Sequence, residues 1–166
     1  MAGLMIQLID VLAEHASICE ELIVLGKQKK EYIINNDVSS LRKLTVQENT
    51  LVGKAQRVEK ARLELVGDIA VVLNEKTGSL TLSRLAEIIQ GQAEHEPFSR
   101  AADRLRSSLD ALKALNEQNK LLLQNALDYV DFSINVIRST YSGDAGGYMP
   151  DGSDAPGSRS FLDVKN

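Results

Sequence analysis

The sequence contains no tryptophan, and aromatic residues make up only 4% of it, so an aromatic-lined pocket has little to be built from. Three prolines in 166 residues leave long stretches without a backbone breaker, the composition of long helices and not of a sheet. Cys19 is the only cysteine. One thiol cannot staple a secreted domain, which favours a reducing compartment. Basic charge is not in excess either: Lys+Arg 19 against Asp+Glu 23 leaves a net charge of -4. The local block Lys27, Lys29, Lys30 is set off by acidic residues, so nucleic acid is not an expected partner. The opening "MAGLMIQLIDVLAEH" is apolar, but no Lys or Arg precedes the run, and Asp10 and Glu14 interrupt it. It therefore reads neither as a secretory signal nor as a membrane span.

What is present is heptad order. Leu4, Leu8, Val11, His15, Ile18, Leu22, Leu25, Lys29 and Tyr32 alternate steps of four and three, a 3.5-residue seam that predicts a first helix ending at "NND". Asp37 or Ser39 can cap the next helix. Its seam runs Leu41, Leu44, Glu48, Leu51, Ala55, Val58, Arg62, Leu65, Ile69 and Val72 and is expected to end at "NEKTGS", with Gly78 as the stop. A short helix is expected after Thr81, burying Leu82, Leu85 and Ile89. Pro97 then falls in the first turn of a last helix, where its missing N–H costs nothing. From Phe98 that seam passes through Ala102, Leu105, Leu109, Leu112, Asn116, Asn119, Leu123, Ala126, Val130, Ser133 and Ile137. Short connections favour antiparallel neighbours. The predicted fold is thus all-α: an elongated, antiparallel, coiled-coil-like bundle of three long helices plus one short helix over residues 1–140, with a flexible C-terminal tail over 141–166. The polar seam residues His15, Lys29, Glu48, Arg62, Asn116 and Asn119 are expected to set register at some cost in stability.

Catalytic chemistry finds no footing. His15 and Cys19 lie four apart on one helix face near Glu14 and Glu20, a spacing that could bring two metal ligands together. A metal site needs three or four, the only other histidine is His95, and no Glu-x-x-His pair exists. There is no glycine-rich phosphate loop and no nucleophile elbow. No enzyme activity, cofactor or metal is expected.

The last helix divides into unlike halves when projected at about 100° per residue. Phe98, Leu105, Leu109, Leu112 and Leu115 fall within roughly 120°, the width of one buried face. In "NKLLLQNALDYVDFSINVI" the apolar residues spread much further. Leu122, Ala126, Tyr129, Val130, Ser133, Val136 and Ile137 hold the centre, Leu123, Leu127 and Ile134 one flank, and Leu121 and Phe132 the other. That arc of roughly 240° exceeds what two neighbouring helices cover. Self-association or another chain's helix would use it; packing by the first and the short helix is the plainer alternative.

The run Leu-Asn-x-x-Asn-x-x-Leu-Leu-x-x-Ala-Leu-x-Tyr from Leu115 to Tyr129, followed by a Tyr and a Gly/Asp-rich tail, resembles the C-terminal signature of the FlgN-type flagellar export chaperones. The N-terminal heptad helix, "NNDVSSLRKLTVQENTLV" and "LTLSRLAEII" follow in the order of that family. The resemblance implies a cytoplasmic, non-enzymatic escort. It would bind hook-filament junction (hook-associated) proteins, prevent their premature assembly, and deliver them to the cytosolic domain of the export gate. It places partner contacts on the C-terminal amphipathic helix, here Leu122, Leu123, Ala126, Tyr129, Val130 and Ile137. The apolar arc adds Leu127, Phe132, Ile134 and Val136. Such a helix can sheath a helical segment through anchors at i, i+3, i+4 and i+7.

The family engages the gate through a Tyr just beyond its last helix, and both Tyr141 and Tyr148 fit that place. "SRSFLDVKN" offers Phe161 and Leu162 as a second docking segment. A rival reading is a self-assembling coiled-coil scaffold protein, in which the same apolar arc forms a homodimer.

Overall fold

The structure, a computed structural model, describes residues 1–76 and 78–144. Four helices account for most of them: α1 (Ala2–Ile34), α2 (Val38–Val72), α3 (Leu82–Ile88) and α4 (His95–Asp144). No strand occurs among the described residues. The chain divides into two units, Met1–Asp128 and Tyr129–Asn166. The first holds α1 to α3 and most of α4. The second holds, among the described residues, the final turns of α4.

The helix ends follow from local chemistry. Asn36 and Asn74 both adopt positive φ, 54° and 56°, a conformation asparagine tolerates better than most residues. In each case the N–H of the following residue turns back to a carbonyl five residues earlier, Asp37 to Tyr32 at 2.9 Å and Glu75 to Ala70 at 2.9 Å. The same asparagine-based stop thus closes α1 and α2. For α2 this corrects the expectation built on Gly78. The helix has already ended at Val72, because Asn74 reaches the left-handed region first. Asp37 starts α2 by accepting from the Ser40 N–H at 3.0 Å, and Thr81 starts α3 by accepting from the Arg84 N–H at 3.1 Å. The seven-residue α3 then buries Leu85, with Ile89 just beyond it.

Cross-helix pairs give the directions. Lys29 meets Glu48 at 2.8 Å and His15 meets Glu59 at 3.7 Å, so α1 and α2 run antiparallel. Arg104 donates to Glu20 through Nε and Nη2, and Asn119 Nδ2 donates to the Gly26 carbonyl at 2.8 Å, so α4 runs parallel to α1. This up-down-up order is that of a three-helix bundle. One core packs Met5, Leu8, Leu12, Ala16 and Cys19 of α1 against Ile69, Leu85, Ile89, Phe98 and Leu105. A second packs Ile18 and Leu22 against Leu51 and Val58. Each fully buried large side chain, such as Phe98 or Leu8, contributes roughly 1.5–3 kcal/mol.

The buried line on α4 is shifted from the predicted seam. Phe98, Leu105, Leu112 and Asn119 lie where the heptad puts them, but the alternate positions are Ala101, Ser108 and Leu115 and not Ala102, Leu109 and Asn116. Leu109 is 42% exposed. Close approach to α1 is seen at Gly26, whose carbonyl accepts from Asn119 Nδ2 at 2.8 Å, and Ser108 lies beside Glu20, its hydroxyl 3.5 Å from the carboxylate. At Gly26 a Cβ would stand 2.6 Å from Leu115 Cδ2, so only glycine leaves room for Leu115 as it sits.

Candidate functional site

Within the first unit, α1 ends at Ile34, eight residues beyond Gly26, and the same step along parallel α4 from Asn119 reaches Leu127. Close to that limit Leu122 and Ala126 are half-buried, whereas Leu121, Leu123 and Leu127 are exposed. Leu123 lines a groove of about 430 Å³ with Leu22, Val52 and Leu112. Lys29, Glu48, Asn49, Asn116, Asn119 and Lys120 supply its polar lining. A helix laid there would meet apolar side chains along the floor and charge at the edges, the arrangement by which grooves accept amphipathic helices.

In the second unit the final turns of α4 carry Tyr129, Val130, Phe132, Ile134, Val136, Ile137 and Tyr141, all exposed. Tyr129 is 70% and Phe132 64% accessible to solvent. Ser133, next to Phe132, is the one described side chain from Tyr129 to Tyr141 that is half-buried. Its hydroxyl donates to the Tyr129 carbonyl at 2.9 Å, and Thr140 does the same to Val136 at 2.9 Å, so these polar groups are satisfied within the helix. What remains on the surface is chiefly hydrocarbon and aromatic ring.

Tyr141, expected in the tail, is inside α4 and 80% exposed. Tyr148, Phe161 and Leu162 lie outside the described residues.

Four of the polar seam residues, His15, Lys29, Glu48 and Arg62, are drawn into ion pairs. Lys29 and Glu48 bond across α1 and α2 while half-buried. His15 is buried beside Glu59, which Arg62 holds through two hydrogen bonds of 2.8 and 2.6 Å. Burial pushes the His15 pKa below its ordinary 6.5; Glu59 opposes that shift and Arg62 adds to it. The Arg62 hydrogen bonds hold the Glu59 carboxyl below the usual range. Cys19 is buried, and its thiol pKa is raised by that burial and by Glu20, which makes it a poor nucleophile. Among the described residues no group of three or more His, Cys, Asp or Glu side chains is placed to hold a metal ion. No described helix is long and apolar enough to cross a membrane.

Sequence reasoning passed over Ala101, Ser108 and Gly26, which make the α1–α4 contact. Small residues at seven-residue spacing (101, 108, and 19, 26) were the available signal. Comparison with known proteins matches the chain to a family: the one described as FlgN protein aligns with residues 1–156. No curated protein and no solved structure shows significant similarity to the chain. An all-α bundle, heptads in the family's order and an alignment over nearly the whole length agree, and the chain belongs to the FlgN family of flagellar export chaperones.

Proposed function

We propose that this chain is a cytoplasmic escort for hook-filament junction proteins, sheathing their helical termini with the C-terminal part of α4 and delivering them to the cytosolic domain of the export gate. The observation that carries the reading is the exposure of Tyr129, Val130, Phe132, Ile134, Val136 and Ile137 on one helix. An apolar surface of this kind is costly to leave in water and marks an interaction site. A client helix covering it gains hydrophobic burial. The same stripe on the client is then unavailable for subunit–subunit contact, which is how binding suppresses assembly. Release calls for a competing contact at the gate, and Tyr141, with Tyr148, Phe161 and Leu162, is the segment assigned to that step.

The test is binding of a purified junction subunit, with size and stoichiometry measured. Tyr129→Asp and Val130→Asp should each weaken binding at least about a hundredfold, as loss of a central anchor does, with the helical circular dichroism retained. Normal binding by both variants would remove the proposed surface. Truncation after Asp144 should spare subunit binding and weaken gate docking, and Tyr141→Ala in the full chain separates the helical tyrosine from the tail. A species that only self-associates and ignores the subunit would favour the scaffold reading.

A further inference from the structure

The hairpin of α1 and α2 has an open side with two neighbouring grooves. One, of about 440 Å³, is lined by Glu21, Val24, Leu25, Gln47, Thr50 and Leu51. The other, of about 410 Å³, is lined by Val11, Glu14, Lys54, Arg57, Val58 and Ala61. Val24 is 56% exposed, and Leu51 and Val58 form the floor. The charges sort by helix: α1 contributes only acids, Glu14 and Glu21, and α2 only bases, Lys54 and Arg57. All four are exposed, and none has a hydrogen-bond or ion-pair partner among the described residues.

From this we infer that the open face of the α1–α2 hairpin pairs with the same face of a second copy. A face with one acidic edge and one basic edge is complementary to itself under two-fold rotation, which is the requirement of an isologous interface. With the two-fold axis along the hairpin, α1 lies beside the partner's α2. The antiparallel pairs Lys29–Glu48 and His15–Glu59 put residue 21 level with residue 54 and residue 14 within a turn of residue 57. Glu21 then meets the partner's Lys54 and Glu14 the partner's Arg57. Val11, Val24 and Leu25 fill the space between, giving a four-helix seam with charges at its flanks. The grooves span α1 from Val11 to Leu25, about 21 Å at 1.5 Å per residue, so the contact is small. Association is therefore concentration-dependent and weakened by salt.

The experiment is light scattering or sedimentation of the full chain over a concentration series. The wild type forms a reversible dimer. Glu14→Lys with Glu21→Lys, and separately Lys54→Glu with Arg57→Glu, each raise the dimer dissociation constant at least about tenfold, because like charges now face each other. Mixing the two variants restores association, since each supplies the sign the other lacks. Val24→Asp disperses the wild-type dimer, and circular dichroism keeps its helical signature in every variant. A wild type that stays monomeric overturns the inference. So does a dimer indifferent to both charge reversals, a mixture that fails to re-associate, or a dimer that only Tyr129→Asp breaks, which would place the interface on α4.

Discussion

Two stretches of the same helix, Phe98 to Asn119 and Tyr129 to Tyr141, have similar heptad spacing and opposite fates. In the first, Phe98 is fully buried, Leu105 nearly so, and Asn119 is 4% exposed with its amide bonded to α1. In the second, every apolar side chain named above is exposed. Periodicity therefore reports which face of a helix is apolar and is silent about what covers it. Coverage depends on neighbours, which the pattern of a single helix does not name.

The contrast can be tested by treating the two stretches alike. Phe98→Ala should cost about 3–5 kcal/mol in denaturant unfolding, the cavity penalty of a buried ring, and lower client binding only through loss of fold. Tyr129→Asp should leave the unfolding midpoint almost unmoved while client binding collapses; a large stability loss there would show that the second stretch is packed in solution. Gly26→Leu should cost about 1–3 kcal/mol, because a Cβ already comes within 2.6 Å of Leu115.

Asn119→Leu tests a subtler point. Asn119 Oδ1 is buried without a partner among the described residues, so replacing the amide should be neutral or stabilising by up to about 1 kcal/mol. The expected penalty is in uniqueness, seen as extra species in native mass spectrometry or broadened amide resonances. The smallest effect belongs to His15. Its folded pKa lies below the ordinary 6.5, so on acidification the unfolded chain takes up the proton first. Stability should hold above about pH 6.5 and fall as pH drops from there toward the lowered folded value. His15→Gln should flatten that slope in urea titrations between about pH 7.5 and 5.5.

Much of this was legible beforehand. The number and order of the helices followed from heptads and caps, and Thr81 and Asp37 cap where their side chains suggested. Leu109 and Ser108 illustrate what was not. A rule that counts hydrocarbon favours Leu109, yet Ser108, set beside Glu20 of α1, is the buried residue and the leucine is left outside. Which face of α4 is covered is set by residues of another helix, Glu20 and Gly26 among them, and a single helix's periodicity does not carry it. The exposed apolar stretch was legible as an excess of apolar residues around one helix, because surplus hydrophobicity is visible without knowing the neighbours. The open face of the α1–α2 hairpin was not, since its acids and bases lie on different helices and acquire meaning only when the two are side by side.

The meeting of Gly26, Leu115 and Asn119 has a consequence for alignment. Heptads repeat, so leucines alone would let α4 slide along α1 by seven residues at little cost. Such a slip would set Leu112 or Ala126 where Asn119 bonds the Gly26 carbonyl, and neither side chain can make that bond. It would also bring Leu115 against a residue that carries a Cβ. Notch and amide together act as an index mark on an otherwise periodic scale, and that mark decides where along α4 its pairing with α1 begins and stops.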